Sequence, residues 1–152
     1  MIEDTGARPG PIEVLLVEDS PGDVRLTREA LKDAKVHLSL HVASDGIDAM
    51  AFLYRQGVHV NAPRPDLVLL DLNLPKKDGR EVLKEIKENT ALATIPVVIL
   101  TTSAASVDVM NSYRLHANCY IIKPVSLDGF LKVVQSIDDF WLSVVKLPRE
   151  NR

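Results

Sequence analysis

The chain has 152 residues, 46% hydrophobic and 26% charged, with a net charge of −3 and one cysteine, Cys119. This length supports one domain with a core of its own. The acidic balance argues against sequence-independent nucleic-acid binding, which needs a basic surface. A lone cysteine rules out an intramolecular disulfide and C-x-x-C chemistry.

Taken in chain order, Met1–Pro11 is polar and reads as a loose arm without the apolar core of a signal peptide. Five short apolar runs follow: Ile12–Val17, Val36–Val42, Leu67–Leu70, Val97–Leu100 and Tyr120–Ile122. The first, third and fourth are continuously apolar, as strands buried on both faces are. Val36–Val42 alternates, with His37, Ser39 and His41 on one side, and reads as an edge strand. Helical patterns fill the gaps. They cover Asp23–Ala34, a stretch after Ser44 or Asp45, one after Gly79, one from Ser106, and the longest at Leu127–Lys146. Val58–Pro65, with Pro63 and Pro65, reads as a loop. No apolar run approaches the ~18 residues of a membrane span, so the expected compartment is the cytoplasm.

Five β-α repeats predict a doubly wound parallel sheet with helices on both faces. The common five-strand order is 2-1-3-4-5, with the ligand site at the carboxyl ends of the strands. There the sequence places Glu18-Asp19 after the first strand, Asp71 after the third, Thr101 after the fourth and Lys123-Pro124 after the fifth. Three converging carboxylates repel unless a cation neutralises them. Mg²⁺, which favours oxygen ligands, suits that task. One carboxylate can then act as a nucleophile towards phosphorus, with Lys123, Mg²⁺ and the Thr101 hydroxyl stabilising the transferring group. Taken singly, each residue has a structural explanation: Asp19 or Ser20 before Pro21 could cap a helix, and Asp71 could sit in a turn.

The set Val17-Glu18-Asp19, Leu70-Asp71-Leu72-Asn73-Leu74-Pro75 with Gly79, Leu100-Thr101-Thr102 and Lys123-Pro124 resembles the receiver domain of bacterial response regulators. The resemblance covers residues 12–146, leaving 1–11 as the arm and 147–152 as a short tail. It implies a flavodoxin-like fold and a phosphorylation switch with Asp71 as phosphoacceptor. Glu18, Asp19, Asp71 and the Asn73 backbone carbonyl would serve the Mg²⁺ site. Thr101 would be the switch hydroxyl, Tyr120 the switch aromatic and Lys123 the phosphate clamp. The implied donor is a sensor histidine kinase. The stretch His116–Pro124, with Asp139-Phe140-Trp141-Leu142 and Leu147-Pro148, is similar to regulators that partner phytochrome-type kinases.

The competing reading is a small Mg²⁺-dependent phosphohydrolase with Asp71 as nucleophile. Such enzymes want an acidic residue two positions on, and Asn73 cannot act as a general acid. A scaffold that is never phosphorylated would not need Asp71, Thr101 and Lys123 together. His37 and His41, four apart on a strand, are about 13 Å from each other and cannot share an ion. The fifth helix carries Phe130, Val134, Ile137, Trp141 and Val144 in one stripe, and Phe140 and Leu147 widen it. A large apolar face marks a protein–protein surface. A two-fold homodimer through Phe140, Trp141 and Leu147 is therefore expected. A cis bond is expected between Lys123 and Pro124, to aim the lysine into the pocket.

Overall fold

The computed structural model describes residues 10–149, so Met1–Pro9 of the arm and the last three residues of the tail lie outside the described residues. The strands are β1 (Ile12–Val17), β2 (Leu38–Ala43), β3 (Leu67–Leu70), β4 (Val97–Thr101) and β5 (Cys119–Ile122). They form one parallel sheet in the order β2-β1-β3-β4-β5. The helices are α1 (Pro21–Leu31), α2 (Gly46–Tyr54), α3 (Gly79–Glu88), α4 (Ser106–Arg114) and α5 (Leu127–Ile137).

Alternation along the central strands divides the core in two. Leu15, Val17, Val68, Leu70, Val97 and Ile99 face α2 and α3, and meet Met50, Phe52, Val82, Leu83 and Ile86. Val14, Leu16, Leu67, Leu69, Val98 and Leu100 face α1 and α5, and meet Leu31, Phe130, Val134 and Ile137. Strands covered on both faces have no polar side, hence their unbroken apolar runs.

Local chemistry starts the helices, and α1 runs Pro21–Leu31 where the spacing suggests Asp23–Ala34. Ser20 caps α1 just before Pro21, Asp45 caps α2, and Ser126 caps α5. Asp78 and Glu81 form a reciprocal capping box on α3, which begins with Gly79 itself. Gly79 is required for packing: a Cβ there would lie 2.2 Å from the Asp71 carbonyl oxygen. A Cβ at Gly46 would lie 2.0 Å from the Lys77 carbonyl oxygen. The two glycines seat the Asp71–Lys77 loop against α2 and α3.

Three expectations need correction. No described peptide bond is cis, the Lys123–Pro124 bond included. The Lys123 backbone N–H bonds the Thr101 carbonyl at 2.7 Å, and its long side chain reaches the pocket from a trans bond. The fifth helix does not run to Lys146; α5 ends at Ile137 and a wider, π-type turn follows over Asp138–Leu142. That turn buries Asp138, whose carboxylate accepts from Gln135 Nε2 at 3.2 Å. The second strand starts at Leu38 rather than Val36.

The chain beyond the π-type turn folds back on the start of the sheet. Arg149 Nη2 donates to the Pro11 carbonyl at 2.8 Å, and its guanidinium pairs with Asp66. Leu147 is consequently buried by its own chain, at 7% exposure. Phe140 stays exposed, and its ring meets half-buried Trp141 edge to face at 5.8 Å.

Candidate phosphoacceptor site

The sheet register brings the strand ends together. Val17 lies opposite Leu70, so Glu18 and Asp71 emerge side by side, and the Asp71 N–H bonds the Val17 carbonyl at 3.0 Å. Leu70 pairs with Ile99, and Thr101 with Ile122, which aligns Thr101 and Lys123 with the same edge. Oxygen atoms of Glu18, Asp19 and Asp71 lie within 4.8 Å of one another, with Asp19 exposed at the mouth and the other two buried. Asn73 stands exposed two residues on, its N–H 3.2 Å from Asp71 Oδ1.

Lys123 is 6% exposed, and its ammonium spends all three N–H bonds on carboxylates. They go to Glu18, to Asp23 at 2.9 Å and to Asp71 Oδ2 at 3.1 Å. Burial disfavours the charged lysine, but its bonds to Glu18 and Asp23 outweigh that and hold its pKa above the usual value. Burial dominates at Glu18 and pushes that carboxyl up, against the pull of Lys123. Four carboxylates around one ammonium leave a negative surplus, and an oxygen-only donor set of this kind fits a hard divalent cation.

Thr101 is fully buried and its hydroxyl has no partner among the described protein groups. An unsatisfied buried hydroxyl costs about 1–3 kcal/mol and calls for an explanation. Tyr120 is half-buried against the α2–α3 side of the core, and its hydroxyl donates to the Ser103 carbonyl at 2.8 Å. Burial raises the Tyr120 pKa.

Sequence reasoning missed several residues. Asp23 reads as an ordinary residue of a helix's first turn, and Arg80 and Asp108 as surface charges. Only the fold shows Asp23 on Lys123, and Arg80 bonded to Asp108 across two helices. His41, set aside as a metal ligand, is instead paired with the Glu13 carboxylate at 2.7 Å, and His59 pairs with Asp48 at the same distance, both rings lying against Phe52. Lys76 and Lys77 pair with Asp45 and Glu85.

A doubly wound sheet with acidic, hydroxyl and ammonium groups on one edge defines a class of phosphoryl-accepting switch proteins. The chain belongs to the response regulator receiver domain family, whose model matches residues 14–135. It is 56% identical over 138 residues to the response regulator Rcp1 of Synechocystis sp., covering 91% of this chain and 94% of that protein. The crystal structure of Mn²⁺-bound Rcp1 superposes with a TM-score of 0.90 at 55% identity, over 91% of this chain and all of that one. The phosphorylated cyanobacterial phytochrome response regulator RcpA superposes with a TM-score of 0.89 at 49% identity, over 92% of this chain and all of that one. The protein is therefore a response regulator, a switch rather than a turnover enzyme, with a histidine kinase as its partner class. Receiver domains bind a divalent metal, as the Mn²⁺-bound Rcp1 structure does, and the acidic trio fits such a site. No described helix is long and apolar enough to cross a membrane.

Proposed function

We propose that Asp71 accepts a phosphoryl group from a sensor histidine kinase of phytochrome type, and that the chain signals through a phosphorylation-dependent change of surface. The observation that carries this reading is the Lys123 ammonium, 3.1 Å from Asp71 Oδ2 and beside the Glu18–Asp19–Asp71 trio. RcpA, named as a phosphorylated phytochrome response regulator, supports the choice of kinase.

Mg²⁺ is the proposed cation, held by Asp19, Asp71 and the Asn73 carbonyl with Glu18 assisting; bound there, it offsets carboxylate repulsion and charge on the phosphoryl oxygens. Asp71 supplies the attacking oxygen. Lys123 provides a fixed positive charge to the transferred group. The unpartnered Thr101 hydroxyl gains an acceptor when a phosphoryl oxygen arrives, and its inward movement makes room for Tyr120 to change rotamer. Self-phosphorylation from small donors and self-dephosphorylation are the covalent steps assigned to the domain, residues 12–146. The expected compartment is the cytoplasm, where such kinases present their phosphohistidine. The output surface is a homodimer contact around exposed Phe140 and half-buried Trp141; Leu147, buried within its own chain, does not reach it.

Incubation with Mg²⁺ and acetyl phosphate, followed by intact mass, tests the assignment. Wild type should gain one phosphoryl group, and Asp71→Asn should gain none at that site. Labelling of Asp71→Asn at the wild-type rate would overturn it. Repeated donor turnover would favour the phosphohydrolase reading instead.

A further inference from the structure

Asp23 occupies the third position of α1, three residues after its cap Ser20. At that position an acidic side chain ordinarily turns back to the backbone N–H of the cap residue. Here that N–H is already bonded to Glu18 Oε2 at 3.1 Å. Asp23 instead reaches across the strand edge to Lys123 Nζ at 2.9 Å, a partner 100 residues away in sequence. Nor is it one of the three carboxylates grouped closely enough to hold a cation. Its side chain is neither a cap nor a member of the metal trio.

We propose that Asp23 is a positioning residue for phosphoryl transfer to Asp71, acting through Lys123; this rests on Asp71 being the phosphoacceptor. An ammonium has three N–H bonds in fixed tetrahedral directions. With Glu18 and Asp23 taking two, the third is aimed at Asp71. In the reaction with acetyl phosphate, an Asp71 carboxylate oxygen bonds to phosphorus. The bond from phosphorus to the acetate oxygen breaks, and acetate leaves with the electron pair. The Asp71 carboxylate loses its charge while the phosphoryl oxygens bring charge to the same spot. The third N–H therefore meets the transferring group without moving. Charge aimed before the reaction stabilises the transition state without reorganising during it. Removing Asp23 frees one N–H and lets the lysine tip swing.

The test measures the rate of mass gain against acetyl phosphate concentration, in Mg²⁺, for full-length wild type, Asp23→Ala, Asp23→Asn, Lys123→Ala, Asp23→Ala/Lys123→Ala and Asp71→Asn. Asp23→Ala should lower the saturating rate by about tenfold, with little change in the half-saturating donor concentration. Asp23→Asn keeps an acceptor oxygen and should recover most of the loss. The double variant should be no slower than Lys123→Ala alone, because a residue acting through Lys123 has nothing left to position. If the alanine variant unfolds, Asp23→Ser, a residue suited to the first helical turn, carries the same comparison. A wild-type or faster rate in Asp23→Ala overturns the proposal, as does a full additional loss in the double variant. Labelling of Asp71→Asn would instead overturn the phosphoacceptor assignment, so the two failures are distinct.

Discussion

Arg80 holds Asp108 in a two-pronged ion pair, Nε to Oδ1 at 3.1 Å and Nη2 to Oδ2 at 2.9 Å, tying the first turn of α3 to the first turn of α4. The same arginine reaches the Leu72 carbonyl at 3.4 Å, one residue from Asp71. Asp108 accepts from Ser103 Oγ at 2.6 Å, and the Ser103 carbonyl accepts from Tyr120. Tyr120 is thus linked through Ser103, Asp108 and Arg80 to the Leu72 carbonyl, next to Asp71 in the chain. Half-exposed pairs are screened by solvent, so Asp108→Ala should cost only about 1 kcal/mol. That is a fall of roughly 2–4 °C in Tm. Arg80→Ala should add little to it in a double-mutant cycle, and the Tyr120 ring resonances should shift in both variants. Unchanged Tyr120 resonances would show that the chain of bonds does not couple the two ends.

Gly79→Ala should be far more damaging than its size suggests. The new methyl would lie 2.2 Å from the Asp71 carbonyl oxygen and 2.6 Å from Leu72 Cα, both rigid backbone. Overpacking of this kind costs about 1–3 kcal/mol, and here it also displaces Asp71. Gly22→Ala is the control, since its Cβ meets only Ser20 Oγ at 3.8 Å. It should stabilise α1 by about 0.5–1 kcal/mol. Thermal unfolding and acetyl phosphate labelling of both variants check the contrast.

Mg²⁺ should raise the Tm of wild type, because a cation that binds only the folded carboxylate trio stabilises it. At a hundredfold excess over Kd the gain is about 2.7 kcal/mol. Asp19→Asn should lose most of the shift, and a chelator should reverse it. A Tm indifferent to Mg²⁺ would count against the site.

Lys87 donates to the Ala93 and Ile95 carbonyls at 3.0 and 2.9 Å and to Asn118 Oδ1 at 3.1 Å, joining the end of α3 to the starts of β4 and β5. Lys87→Met strands those acceptors and should cost about 1–3 kcal/mol in denaturant unfolding. Burial lowers the Lys87 pKa from 10.5. The unfolded chain therefore holds this proton more tightly than the folded one. The lysine's contribution to stability should grow as the pH rises through the window just below 10.5. A penalty for Lys87→Met that shrinks over that window would contradict this.

Phe140 is 54% exposed, and Val144 beside it is 71% exposed. If this face forms the dimer, Phe140→Ala should weaken self-association by about 2 kcal/mol, roughly thirtyfold in Kd. Sedimentation with and without phosphorylation measures it. A wild type that stays monomeric at high concentration in both states would refute the dimer.

What the sequence alone determined is the architecture and which polar groups gather at the strand ends. Continuous runs such as Leu67–Leu70 define strands covered on both faces, and the residues that end them, Asp71, Thr101 and Lys123, mark the ligand edge. These features are local, because a strand's burial and its last residue are both written in consecutive positions. Only the tertiary structure decided which charges meet. Asp23 looks like any acidic residue in a first helical turn until Glu18 takes the N–H it would have capped and Lys123 arrives from 100 residues away. The spacing of Leu127–Lys146 suits one long helix, yet the chain widens at Asp138 and turns back until Arg149 reaches Pro11 and Asp66. That return buries Leu147 and leaves Phe140 outside. Periodicity reports which residues share a helix face, and the partner that covers the face is chosen by contacts distant in sequence.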